Sequence, residues 1–344
     1  MTKHEILDWL RETDPIKLEE LWKKADRVRE ESVGNAVHLR GLIEISSYCV
    51  RRCAYCGLNA DNRIERYRMS LDEILSCVDE AVEYSYGTVV LQSGEDFGIS
   101  EEWVSQLIKK IKEKSSLAVT LSLGERTKEE LSAWKKAGAD RYLLRFETSN
   151  PELFALIHPP RTDQKYDRFE VLRYLRELGY EVGSGVMIGI PGQSYETLAR
   201  DLMLFEELDL DMIGVGPYIA HPQSLLGKNP GLKSIDPEEQ VPHTELMTYK
   251  TVALTRILCP EANIPSTTAL ATLNTETGRE LGLSRGANVV MPNLTPAQYR
   301  RLYEIYPAKA CIDETARQCH FCMQGRILSL GRELGKGQGG RIRH

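Results

Sequence analysis

The chain has 344 residues, 42% hydrophobic and 27% charged, with a net charge of -6. That is enough apolar chain for a core of barrel size, and the charge gives no electrostatic footprint for nucleic acid. No apolar run reaches the length of a membrane span, and the N-terminus Met-Thr-Lys-His-Glu-Ile lacks a signal peptide's apolar segment, so a cytoplasmic enzyme with no membrane partner is expected.

In chain order, residues 1–36 read as a polar helical extension. Val37 to Tyr48 follows as a buried strand, rich in apolar and β-branched residues, that delivers its end to Cys49, Cys53 and Cys56. Seven more strands are predicted: Thr88 to Ser93, Ala118 to Leu123, Arg141 to Glu147, Glu181 to Ile188, Met212 to Ile219, Asn263 to Leu270 and Ala287 to Pro292, with helical periodicity between them. Eight parallel strands each followed by a helix predict an α/β fold, a (β/α)8 TIM-type barrel over residues 37–306 with its chemistry at the C-terminal strand ends. An open six-stranded partial barrel is the alternative if the last two segments are not strands. Cys77 and Cys259 fall in helical runs and read as packing residues. Residues 307–344 form a C-terminal segment with a second cysteine triad, Cys311, Cys319 and Cys322, and a basic glycine-rich tail, Gly335 to His344, expected to be an exposed arm.

The run Cys-Val-Arg-Arg-Cys-Ala-Tyr-Cys at 49–56 offers three thiolates to a 4Fe-4S cluster and leaves one iron open. Structural zinc sites are normally closed by four ligands, so three thiolates point to catalysis; a zinc knuckle completed by a distant residue is the alternative. The second triad again supplies three thiolates, with His320 as a candidate fourth ligand, and suits a second iron-sulfur cluster, 4Fe-4S or 2Fe-2S, before structural zinc or three ordinary cysteines. Polar residues gather at the predicted strand ends: Gln92-Ser93-Gly94-Glu95-Asp96, Thr120 to Glu125, Arg145-Phe146-Glu147-Thr148 and Ser266-Thr267-Thr268. The glycine of Ser-Gly-Glu permits close approach of backbone to ligand, and the carboxylate can accept hydrogen bonds from an ammonium group, although a solvated turn would look the same.

The Cys-x3-Cys-x2-Cys spacing, with aromatic Tyr55 before the last cysteine, resembles the radical S-adenosylmethionine (SAM) superfamily. Arg66-Tyr67-Arg68-Met69, Val90 to Asp96, Thr120 to Glu125, Arg141 to Arg145, Gly189 to Gln193, Ile264 to Ala269 and Gly286 to Asn293 make the chain similar to one branch of it, the FeFe-hydrogenase maturase HydE family. That resemblance implies a full barrel, a cluster on Cys49, Cys53 and Cys56 whose free iron chelates SAM, and reductive cleavage to a 5′-deoxyadenosyl radical. It further implies SAM contacts from Tyr55, Ser93, Gly94, Glu95, Ser122 and Glu147. Arg168, in Tyr166-Asp167-Arg168, becomes the candidate clamp for the methionine carboxylate. Gln92, Arg145, Thr267, Thr268 and Tyr306 are the candidate substrate residues, with Arg145 facing an anionic partner or else paired with Glu147 or Asp140. Phe146 stands where a polar residue could be expected.

By the same resemblance the substrate is a cysteine-ligated iron complex with two carbon monoxides and cyanide, the companions are the maturases HydG and HydF, and the electron donor is a ferredoxin or flavodoxin. Two other functions stay open: a paralogue rearranging another small molecule, as methylornithine synthase does, or a non-catalytic iron-sulfur carrier. Sulfur insertion of the biotin-synthase kind is disfavoured, because the middle strands end without cysteines.

Overall fold

A computed structural model describes residues 1–161 and 167–342; Tyr166 and the last two tail residues lie outside them. The strands are β1 Ala36–Ser46, β2 Thr88–Ser93, β3 Ala118–Ser122, β4 Arg141–Leu143, β5 Glu181–Ile188, β6 Met212–Pro217, β7 Val289–Val290 and β8 Glu333–Leu334. They pair in the order β6-β5-β4-β3-β2-β1-β7, with β8 added to β1, and every named pairing is parallel.

The predicted strand Asn263 to Leu270 is corrected. An extended piece joins β6 and β7 through single bridges, Met212 to Asn263 and Pro265 to Val289, so the ring closes without a full ladder. Pro265 has no N–H to donate. Thr267 accepts from Leu270 N as N-cap of the helix Thr268–Leu273, so the Ser-Thr-Thr run starts a helix where a strand was expected.

The N-terminal extension is two helices, Lys3–Arg11 and Pro15–Val33, the second with Asp14 as N-cap and Pro15 at its first turn. They lie against the helices Tyr195–Glu207 and Glu245–Leu258. Capping boxes start the helices after β1, β3 and β4 at Ser70/Glu73, Thr127/Glu130 and Asp167/Glu170. Each fixes the point where a strand-end loop becomes helix.

Alternation along the strands divides core from cavity. On β2, Val89 and Leu91 join the apolar core under the helices, whereas Val90 and Gln92 line a cavity; on β3, Thr120 and Ser122 do the same. Phe146 packs against Phe169 and Phe205 in the helix layer. The cavity, about 350 Å³, reaches from the cysteine loop at the C-terminal strand ends down to Arg40, Met212 and Asn263 near the N-terminal ends.

The expectation for the tail is corrected in part: Lys336, Gly337, Gln338 and Ile342 are exposed, but the segment is no free arm and runs against the base of the barrel. After β8 the Gln338 carbonyl accepts from Thr88 Oγ1 at 2.9 Å and Arg141 Nη2 at 3.0 Å, and the Gly339 carbonyl from Arg40 Nη2 at 3.0 Å and Asn263 Nδ2 at 3.2 Å. Arg341 then reaches Asp209, 2.5 Å away, and Glu261, 3.2 Å away. The basic residue that suggested a solvated arm is the tail's anchor.

Candidate active site

The thiols of Cys49, Cys53 and Cys56 lie on the irregular chain after β1 and line one cavity. Arg66 staples this loop by donating to the carbonyls of Ser47 (2.6 Å), Leu58 (3.1 Å) and Asn59 (2.8 Å). Val50 N donates to Glu95 O at 3.0 Å, and Ala54 N to Ile157 O at 2.8 Å. Gly94 sits tight beneath it: a Cβ there would lie 2.4 Å from Tyr48 O and 2.7 Å from Cys49 Cβ. Burial and the neighbouring thiols push Cys53 well above the ordinary thiol range, and burial with Cys49 pushes Cys56 up to about 12. Three such thiols become thiolates when metal displaces their protons, so the donor set and the glycine cradle fit an iron-sulfur cluster.

Beside the thiols stands a buried lattice of opposite charges. Arg51 Nε lies 2.8 Å from Glu95 and its Nη2 lies 2.5 Å from Glu125; Arg168 Nε donates to Glu125 at 2.8 Å and its Nη2 lies 3.9 Å from Glu95. Burial, then the Glu125 charge, raises the Glu95 carboxyl, while Arg51 and Arg168 oppose them. For Arg168 burial works against the charge, but Glu125, Tyr55 and Glu95 outweigh it and raise the guanidinium. His158 is held neutral by burial and by Arg168 and Arg51. The capped helix start at Asp167 sets Arg168 in this lattice, where it also meets His158 Nε2 and the Arg145 carbonyl. A clamp on a bound carboxylate would therefore require Arg168 to exchange one of these partners.

Of the sequence-selected residues, Tyr55, Gln92, Ser93, Gly94, Glu95, Ser122, Arg145, Glu147, Arg168, Thr267, Thr268 and Tyr306 all line this cavity with the three cysteines. Arg145 does pair with Glu147, at 3.1 Å, and donates to the Val186 carbonyl; its Nε has no hydrogen-bond partner among the described residues. Glu147 adopts a left-handed φ of 63°, a strained conformation for a residue with a Cβ, held by its N–H on Gly185 O and its carbonyl under Met187 N.

Sequence reasoning gave no role to Arg51, His158, Glu44, Tyr303 and Lys309, and named Glu125 only as the last residue of a polar strand end. Lys309, from the C-terminal segment, forms a buried ion pair with Glu44, whose second oxygen accepts from Asn293 Nδ2 at 3.1 Å. Arg51 had a signal, a basic residue inside the cysteine motif; Lys309 had none.

Of the second triad, Cys311 and Cys319 gather with Glu314, their ligand atoms all within 4.8 Å of one another. Cys322 lies one turn beyond Cys319 on the helix Ala316–Ser329 and accepts from Arg326 Nε at 3.4 Å. His320 is corrected as a ligand. One residue along a helix turns the side chain by roughly 100°, and His320 stacks on Tyr84 and bonds Tyr86 Oη through Nδ1 at 3.1 Å.

A closed parallel barrel with three thiols on the loop after β1, Cys53 buried and Cys49 and Cys56 half-buried, facing a polar cavity, is the arrangement of a radical SAM enzyme, and residues 43–205 match the family model described as Radical SAM superfamily. Enzymes of this class use a 4Fe-4S cluster and SAM. The chain is 46% identical to the FeFe-hydrogenase maturase subunit HydE of Thermotoga maritima over 94% of its own length and 89% of the relative's, and it belongs to the HydE family. It is also 28% identical to 3-methylornithine synthase of Methanosarcina acetivorans over 80% of this chain and 74% of that one. Among solved structures, the fold matches methylornithine synthase (PylB) with a TM-score of 0.81 at 24% identity, covering 97% of this chain and 94% of that one. It matches the maturase HydG with a TM-score of 0.76 at 21% identity, covering 96% and 71%. No described helix is long and apolar enough to cross a membrane.

Proposed function

We propose that the chain is a maturase of the FeFe-hydrogenase active-site cluster, acting in the cytoplasm on a small cysteine-ligated iron complex with carbon monoxide and cyanide. The observation that carries this reading is one cavity that joins the three-thiol loop to an arginine, Arg145, set deeper among polar strand-end residues. The 46% identity to a HydE subunit supports it.

Cys49, Cys53 and Cys56 would hold three irons of the cluster, which with SAM supplies the reductive cleavage that generates the 5′-deoxyadenosyl radical. Ser93, Gly94 and Glu95 would take the methionine ammonium, and Arg51 keeps Glu95 and Glu125 charge-balanced beside it. Tyr55, Ser122 and Glu147 would line the rest of SAM, with Arg168 near its carboxylate. Gln92, Thr267, Thr268 and Tyr306 would bound the substrate. The unpaired Nε of Arg145 would orient its anionic ligands. The barrel wall aims the reaction and excludes water.

Cys311, Cys319 and Cys322 would carry a second iron-sulfur cluster, with Glu314 as a further donor and zinc as the competing metal. HydG would supply the substrate, HydF receive the product, and a ferredoxin or flavodoxin deliver the electron.

Two measurements test the reading. Cys53→Ala, reconstituted anaerobically, should lose 5′-deoxyadenosine formation; persistence of that product would rule out the cluster assignment. Arg145→Ala should leave SAM binding nearly unchanged but stop hydrogenase activation in a mixture with the other maturases and the apo-hydrogenase. Full activation would remove Arg145 from the substrate site, and failure of the unmodified protein to activate, with SAM cleavage intact, would favour another small-molecule substrate.

A further inference from the structure

We propose that the C-terminal tail is the plug of the reaction cavity: it closes the barrel mouth opposite the cysteine loop and fixes Arg40 in the cavity floor. Barrel interiors of this type are ordinarily filled by layers of side chains. Here the cavity continues down to Arg40, Met212 and Asn263, and two of these three bind the tail directly through the Gly339 carbonyl. The tail passes under the sheet one strand after another. It pairs with β1, bonds Thr88 on β2, donates from Gln338 Nε2 to Ser116 O just before β3, bonds Arg141 on β4, and ends against Asp209 and Asp211 before β6 and Glu261 before the closing segment.

At several points the path leaves no room for a side chain. A Cβ on Gly87 would lie 1.5 Å from Gly337 O, and one on Gly339, whose φ is 57°, would lie 2.5 Å from the His38 ring. Gly335 and Gly339, part of the glycine-rich run that suggested an exposed arm, let the tail pass against the His38 ring on β1.

Arg40 gives the plug a second role. It is buried and its Nη1 rests on Met212 Sδ at 2.9 Å; among the described residues its Nε has no hydrogen-bond partner and its hydrogen bond to oxygen is the one to Gly339. Without the tail this cation would lose that oxygen and turn toward water. A cavity meant for radical chemistry gains from closure at the end away from SAM, since an open floor admits solvent and hydrogen donors. The closure itself is a property of the fold and stands or falls independently of the substrate.

The test places a reporter in the floor: Met212→Cys, treated with a maleimide carried on a long polyethylene glycol chain that cannot thread the cavity from above, with labelling at position 212 read by peptide mass spectrometry. It is made in the full chain, in a chain ending at Leu334, and in a full chain carrying Gly87→Ala, whose added methyl meets tail atoms nearest of all. Labelling should be slow with the tail seated and about tenfold faster or more in both altered proteins, with iron content and far-UV circular dichroism retained. Fast labelling of the full chain, or slow labelling of both folded variants, would overturn the proposal. If the shortened chain does not fold, Gly87→Ala decides alone.

Discussion

Two groups of three cysteines sit on this chain in different physical settings. Cys49, Cys53 and Cys56 hang from irregular backbone stapled by Arg66 and open onto the cavity, beside carboxylates balanced by Arg51 and Arg168. Cys319 and Cys322 ride a helix outside the barrel wall, Cys311 sits at a left-handed φ of 64°, and none of the three is among the described residues lining the cavity. Arg300 ties the Cys311 and Glu314 carbonyls to those of Asn293 and Thr295, so the second group is bolted to the end of the last barrel strand without reaching the reaction space. An equal number of thiols thus stands in different surroundings, one group open to the cavity beside paired charges and the other outside it.

The largest effect is expected from breaking the charge lattice of the first group. Arg51→Met leaves Glu95 and Glu125 buried with Arg168, and with Arg161 3.9 Å from Glu95. Losing one member of a buried ion pair costs about 3–5 kcal/mol, so chemical denaturation should show a loss of that order and SAM binding should weaken at the same time. Arg51→Lys should recover only part, because a single ammonium cannot span both carboxylates as the fork does. If SAM binding were untouched in a folded Arg51→Met protein, the lattice would be structural only.

The support behind the first group is pH-dependent. Asp201 is fully buried and accepts from the N–H of Ser149, two residues beyond Glu147, and from Gln193 Nε2; burial raises its carboxyl from 3.8 to about 7. A folded value above the unfolded one means that the folded state binds the proton more tightly. Stability should therefore fall as pH rises from about 4 to about 7, on the order of 1 kcal/mol per pH unit, and then level off. Asp201→Asn should flatten that slope in melts across the range; an unchanged slope would show that other groups set it.

The smallest effect on turnover is expected at the second group. Changing Cys311, Cys319 and Cys322 together to serine should remove the metal proposed there, measured by elemental analysis, while 5′-deoxyadenosine formation stays within about a factor of two. Loss of cleavage with the first cluster fully loaded would break the comparison and bring the second site into catalysis.

The cysteine loop was legible because its signal is local: a strand, then three thiols at short spacing. The strand ends were legible for a related reason, since polar clusters after apolar runs mark where a barrel places chemistry. The lattice was not. Arg51 and Glu125 are 74 positions apart, and only closure of the barrel sets Arg51 Nη2 at 2.5 Å from Glu125. Arg145 was readable as an inward arginine, but its choice of Glu147 as a partner depends on the left-handed turn at that residue.

By itself the sequence determined the alternation of strands and helices, the thiol loop and a set of polar residues that line the cavity, because periodicity, capping and spacing act over a few residues. The tertiary structure decided what depends on long-range closure. It replaced a predicted strand by a proline-containing bridge and turned His320 away from the second cysteine group. It drew the glycine-rich tail under the barrel and brought Lys309 onto buried Glu44. Glycines and isolated charges carry no periodicity of their own, so their positions follow from the cavity and the partner charges that the rest of the fold leaves for them.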